Sequence, residues 1–174
     1  MKARRIALCS ILISMALVLS YIECFIPLQL LVPLPGVKLG LANIVTLIAL
    51  YLLGVKEAIS ILIPRCILGA LFGGGVTGLI FSLTGGILAM GAMALAKKAP
   101  VFSVYGVSIL GAAAHNVGQI GIAMLMMNSI YVGAYLPYLL IVALFTGAST
   151  GMAGASVLHI LRTVHISGQP GMRR

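Results

Sequence analysis

The sequence predicts an all-α membrane protein, a bundle of six transmembrane helices with both termini on the cytoplasmic side. Three observations point there. Of 174 residues, 61% are hydrophobic and 7% charged, too little polar surface to cover a soluble globule of that size. The apolar residues run in long stretches, and since a spanning helix needs roughly 20 of them, the chain can supply about six crossings if its loops are tight. The cations sit at the ends of these stretches, most of them on one side.

Each element follows from what stops it. Helix 1 is expected over residues 6–25. Its opening Met1-Lys2-Ala3-Arg4-Arg5 looks like a signal peptide, but no small-x-small cleavage site follows, so the helix is read as retained. Pro27, Pro33 and Pro35 make the next segment a loop, because proline lacks a backbone donor and blocks helix continuation. Helix 2 is expected over residues 39–53, stopped by Gly54 and the pair Lys56-Glu57. Helix 3 follows over 58–72 with Pro64 inside it, and Gly73-Gly74-Gly75 turns the chain. Helices 4, 5 and 6 are expected over 76–96, 101–127 and 136–161. The result is one transmembrane domain, residues 1–162, and a short polar cytoplasmic tail, 163–174.

Cytoplasmic loops carry excess lysine and arginine, an asymmetry this map was not built to satisfy, so the cations test it. Lys2, Arg4, Arg5, Lys56, Lys97, Lys98, Arg162, Arg173 and Arg174, nine of the eleven, fall on one side, and Lys38 alone falls on the other. Tyr21, Tyr131, Tyr135 and Tyr138 gather at the outer boundary, where amphipathic rings prefer to lie. The net charge of +9 therefore reads as membrane orientation. No basic stripe interleaved with aromatics suggests nucleic acid.

Arg65 is left at membrane depth, about eight residues or roughly 12 Å below Gly73. An ionisable group there needs a partner or faces a cavity. Two readings stand open: contact with a ligand, or an internal pair with Glu23 or Glu57 helped by carbonyls that Pro64 frees. Helix 5 carries His115, Asn116 and Gln119 among glycines and alanines, with His115 and Gln119 four apart on one face. Asn43 enters about a turn below the outer surface. Asn43, Arg65, His115, Asn116 and Gln119 thus converge on a site open to the outer side, able to hold a small anionic or heteroaromatic solute. Lys38 lies at its rim, and Glu23 either joins it or pairs with Lys38.

Small residues recur every four positions, at Gly69 and Gly73, Gly74 and Gly78, and at Ala143, Gly147, Gly151 and Ala155. Such ridges allow close helix packing. Ala3, Ala7, Ser10 and Ser14 form a partial small stripe on helix 1 that suits either packing or a docking partner.

Several chemistries are excluded. The chain has no aspartate, and its carboxylates are Glu23 and Glu57, so clustered carboxylates for magnesium cannot be assembled. No Walker-type sequence is present, so active transport needs an energising partner. Cys9, Cys24 and Cys66 form no CxxC pair, and no second histidine or carboxylate stands at ligand spacing from His115. Neither a catalytic residue, a metal site nor a cofactor is expected.

The segments Pro35-Gly36-Val37-Lys38-Leu39-Gly40-Leu41-Ala42-Asn43, Arg65-Cys66-Ile67-Leu68-Gly69-Ala70-Leu71-Phe72-Gly73-Gly74, Phe81-Ser82-Leu83-Thr84-Gly85-Gly86 and Gly111-Ala112-Ala113-Ala114-His115-Asn116-Val117-Gly118-Gln119 resemble the bacterial Gx transporter family, often labelled heptaprenyl diphosphate synthase component I. The resemblance reaches to about Leu161. That family is similar in turn to the substrate-binding S components of energy-coupling factor (ECF) transporters. This implies a bacterial plasma-membrane protein with a pocket near the outer face, covered by the loop between helices 1 and 2. It also implies docking through small residues of helix 1 to a coupling subunit with two ATPases. The family's alanine repeat is met here by Ala3 and Ala7, with Ser10 and Ser14 on a neighbouring stripe. The alternative is a membrane scaffold or accessory subunit of a flavin- or quinone-linked redox or prenyl diphosphate pathway, in which the polar cluster locks helices.

Overall fold

The computed structural model describes residues 2–23, 25 and 40–167. Among them are six α-helices and no strand: α1 (Lys2–Glu23), α2 (Asn43–Leu52), α3 (Val55–Gly69), α4 (Gly75–Lys98), α5 (Val104–Met126) and α6 (Leu136–Ser167). Four helical segments, Arg5–Glu23, Gly75–Lys98, Val104–Met126 and Ile130–Leu161, are long and apolar enough to cross a membrane. This is a helical membrane protein.

The boundaries depart from the sequence-based expectation where glycine takes over. Helix 2 was expected from residue 39, but α2 begins at Asn43, because Gly40 adopts φ +83 and the chain reaches the helix through isolated turns in which Asn43 N–H bonds the Gly40 carbonyl. At ten residues α2 is about 15 Å long, half a hydrocarbon core. Seven of its ten residues are nevertheless buried, since α2 packs against every other helix. Helix 3 begins three residues early, at Val55, directly after Gly54 with φ +108. It passes Pro64 unbroken and runs on through a π-helical turn, Ala70–Gly74, so that the expected glycine turn closes at Gly75 with φ +58. The carboxy-terminal end of α5 is followed by a 3-10 turn, Ile130–Tyr135, and α6 starts at the expected Leu136. It extends through Ser167, five residues into the expected tail. The proline-rich loop falls on residues 26–39, outside those described.

The core runs along α2, α3 and α4, where Leu47, Leu50, Ile61, Leu62 and Met93 are buried, and a second cluster joins Phe81, Ile120, Val132 and Leu139 near the far ends of α4 and α5. The helix 6 ridge is a packing device. A Cβ on Gly147 would lie 2.6 Å from Ile109 Cα and one on Gly151 3.1 Å from Tyr105 Cα, so these positions let α6 close onto α5. Gly69 and Gly78 serve no such contact, since a Cβ there would meet nothing within 4 Å. Between the same two helices Ser108 and Thr150 hydroxyls bond at 2.8 Å.

The cationic ends are tied to the bundle in two ways. Lys97 donates from Nζ to the Leu50 carbonyl at 2.8 Å and stands 4.8 Å over the Tyr51 ring, satisfying a carbonyl at the end of α2 that has no helical partner. Arg5 reaches Glu57 at 3.4 Å, joining α1 to α3. With Arg5 largely exposed, this second pair is weak: Arg5→Ala is expected to cost less than about 1 kcal/mol, a change checked by thermal unfolding in detergent. It also removes Glu57 from the list of partners for Arg65.

Candidate functional site

The short length of α2 places its first turn deep in the bundle, and two polar contacts hold it there. Gly40 donates its N–H to Glu23 Oε1, and Arg65 Nη2 donates to Asn43 Oδ1 at 3.1 Å. Glu23 is 3% exposed, Asn43 8% and Arg65 5%, so carboxylate, amide and guanidinium all lie inside the protein. Glu23 and Arg65 thus engage opposite ends of the short Gly40–Asn43 turn. A buried charge is tolerable only with compensation of this kind, and removing one partner leaves the other uncompensated.

From α5, His115, Asn116 and Gln119 are all buried, Gln119 completely. His115 folds between α2 and α4: its Cδ2 is 3.3 Å from the place of a Cβ on Gly40, and its Nδ1 is 2.8 Å from that on Gly85. Gly85 lies ten residues from the start of α4 and His115 eleven from the end of α5, about 15 and 16 Å along each helix, hence near the middle of both. Gly86, next in the chain, would place a Cβ 3.6 Å from Arg65 Nη2. Gly85 is thus what allows the imidazole to lie against α4, while Gly86, whose Cβ would lie 2.7 Å from Leu62 Cδ1, admits the Leu62 side chain of α3.

Asn116 faces elsewhere. One residue on from His115 it stands about 100° round the helix, and its Nδ2 donates to the Leu139 carbonyl of α6 at 2.7 Å. Asn116→Leu is therefore expected to lower stability by about 1 kcal/mol while leaving solute retention unchanged, as read by thermal unfolding and mass spectrometry of the purified protein.

Two buried polar atoms of this region lack a hydrogen-bond partner among the described residues: Arg65 Nε and Thr46 Oγ1. Thr46 was not singled out by the sequence, nor were Gly40, Gly85 and Gly86 as site positions. A glycine pair in the middle of an apolar helix was the available signal for the last two. Lys38 lies outside the described residues. The structure therefore brings together Glu23, Asn43, Arg65 and His115, adds Gly40 and Gly85-Gly86, and turns Asn116 toward α6.

The helix 1 stripe is well separated from this cluster. Ala3, Ala7, Ser10 and Ser14 are exposed, and both hydroxyls bond back into their own helix, Ser10 to the Ile6 carbonyl at 3.1 Å and Ser14 to the Ser10 carbonyl at 3.0 Å. The stripe thereby presents a smooth face with no unpaired hydroxyl.

A family model for heptaprenyl diphosphate synthase component I matches residues 12–157. The chain belongs to that family. Its matched span as a component I member runs from within α1 to within α6 and includes every residue of the polar cluster, whereas Ala3, Ala7 and Ser10 precede it. No curated protein and no solved structure matches the chain.

Proposed function

We propose that this component I family member is the solute-capturing membrane subunit of a small-molecule transporter, built like an S component, which binds its solute from the outer face and depends on an energising partner. The observation that carries this reading is Arg65: a buried guanidinium bonded to Asn43, with Nε still unpaired. A broken helix whose amino-terminal end meets buried polar side chains at membrane depth is the form that solute sites take in transporters, where irregular backbone lines a cavity. Asn43, Arg65, His115 and Gln119 contact the solute, with Glu23 beside them, and the solute is a vitamin-sized anionic or heteroaromatic molecule.

In this reading the bundle crosses the bacterial plasma membrane six times with both termini cytoplasmic, as the cation distribution favours. The exposed helix 1 stripe is the docking face for an ECF-type coupling subunit that carries ATPases. The chain itself is not an enzyme. Glu23 and Glu57 belong to opposite ends of the bundle, one bonded to Gly40 and the other to Arg5, so they do not form a magnesium site for a diphosphate.

The family description favours a second reading, an accessory component working with another subunit in a prenyl diphosphate or quinone-linked pathway. The contacts Asn116 to Leu139 and Ser108 to Thr150 suit it, because they lock helices without a solute. Mass spectrometry of small molecules and proteins that co-purify in mild detergent separates the two. A bound vitamin-like solute or a coupling subunit is expected; a prenyl synthase subunit and no solute would overturn the capture reading.

A further inference from the structure

α5 and α6 do not finish together at the end of the bundle where α4 closes on Lys97 and Lys98. α5 begins at Val104, and Gly151 of α6 packs beside Tyr105 Cα in its first turn. From that contact α6 runs on for sixteen residues, about 24 Å, with no α5 residue opposite it. The ridge of small residues changes its use at the same point. Gly147 and Gly151 let α6 close onto α5, whereas Ala155, the next member, lines a groove of about 520 Å³. That volume is in the range of small-molecule sites and many times the roughly 30 Å³ of one water molecule.

The lining is of two kinds. Val104, Leu158 and Ile160 are apolar, while Tyr105, Ser156 and His159 offer two hydroxyls and an imidazole. Elsewhere in α6, Thr146, Ser149 and Thr163 bond the carbonyl four residues back, and Thr150 bonds Ser108 and the Gly147 carbonyl. This is the ordinary fate of a hydroxyl in an apolar helix. Ser156 makes no such bond among the described residues, so its hydroxyl is left to whatever fills the groove. The surrounding charge has one sign. The chain has two acidic side chains, and Glu23 bonds Gly40 while Glu57 bonds Arg5, so no acid lines the groove. Lys98 ends α4 five residues before the Ser103 cap of α5, exposed, and Arg162 follows His159 by three residues in α6.

We infer that this groove seats an anionic phospholipid, its phosphodiester at Tyr105, Ser156 and His159 and the first carbons of its acyl chains along Val104, Leu158 and Ile160. A free phosphate ion would match the cations and leave the apolar lining uncovered; a zwitterionic lipid would cover the lining and bring its own cation against Lys98. An amphiphile with net negative charge satisfies both, as basic pockets between membrane helices do for lipid head groups. The lipid site is separate from the polar cluster. Tyr105 lies ten residues, about 15 Å, along α5 from His115, and the two sites share no residue.

The test titrates the purified full-length protein, stripped of lipid in a neutral mild detergent, with short-chain phosphatidylglycerol, with phosphatidylcholine of the same chains and with inorganic phosphate. Native mass spectrometry reads the bound fraction. Wild type is expected to bind phosphatidylglycerol about tenfold more tightly than phosphatidylcholine and to bind no phosphate. Ala155→Phe, which fills the groove, and His159→Leu, which keeps it apolar and removes the imidazole, are each expected to weaken phosphatidylglycerol binding by about that factor. Should Ala155→Phe fail to fold, His159→Leu decides, because His159 is exposed and supports no packing. Equal affinity for the two lipids would overturn the anionic assignment, and phosphate binding as tight as that of phosphatidylglycerol would make this a site for a free anion. Phosphatidylglycerol binding undiminished in the folded variants would place the lipid elsewhere on the bundle. A lipid-free dimer that Ala155→Phe splits would give the groove to a second copy and overturn the lipid.

Discussion

Arg65→Met is expected to destabilise the protein by about 3–5 kcal/mol and to abolish solute retention. The variant keeps most of the side-chain volume and removes the charge, so what it measures is the loss of compensation: the buried Glu23 carboxylate loses a cation from its surroundings, and Asn43 Oδ1 loses its donor. The first term dominates, since an uncompensated buried charge costs several times as much as a broken neutral hydrogen bond. Arg65→Met/Glu23→Gln should recover part of the stability, because both charges then leave together, yet still retain no solute. Thermal unfolding in detergent together with mass spectrometry of the bound fraction reads both effects. An unfolding midpoint for Arg65→Met equal to that of wild type would mean that Arg65 and Glu23 are not coupled, and the site as drawn would fall.

The second large effect belongs to a residue with no polar atom in its side chain. Gly85→Ala places a Cβ 2.8 Å from His115 Nδ1 and 3.0 Å from the His115 carbonyl oxygen. The ring can rotate away but the backbone carbonyl cannot, so α4 and α5 must separate. We expect a loss of about 1–3 kcal/mol, the usual range for overpacking, together with loss of solute retention as His115 is displaced. Gly91 on the same helix is the internal control. A Cβ there meets nothing within 4 Å, so Gly91→Ala should gain roughly 0.5–1 kcal/mol from the helix preference of alanine alone. If Gly85→Ala also stabilised, the close approach of α4 to α5 at the site would be refuted.

The sequence made the long helices readable because hydropathy is a property of single segments. The start of α6 at Leu136, with Pro137 at its amino-terminal end, could be read in the same way. The shortness of α2 could not. Leu39-Gly40-Leu41-Ala42 is apolar and suits a helix, and what holds Gly40 out of one includes a bond to Glu23, seventeen residues earlier in the chain. Within the site, Arg65 and His115 were legible because a charge or an imidazole at membrane depth requires compensation. Asn116 was legible as polar but its partner was not; its 100° offset from His115 turns it toward the Leu139 carbonyl of α6. Thr46 gave no signal at all, since most hydroxyls in apolar helices satisfy themselves, and only its geometry shows that it does not.

The length of α2 also bears on how the chain is made. Ten residues are too few to be threaded into a bilayer as an independent segment. The turn that follows is tight, with Leu53 and Gly54 N–H both bonded to the Ala49 carbonyl, so α2 and α3 form a hairpin. Arg65 would then be translated and inserted after Glu23 and Asn43, the two groups that compensate it. The order of synthesis spares the cation a solitary passage into lipid.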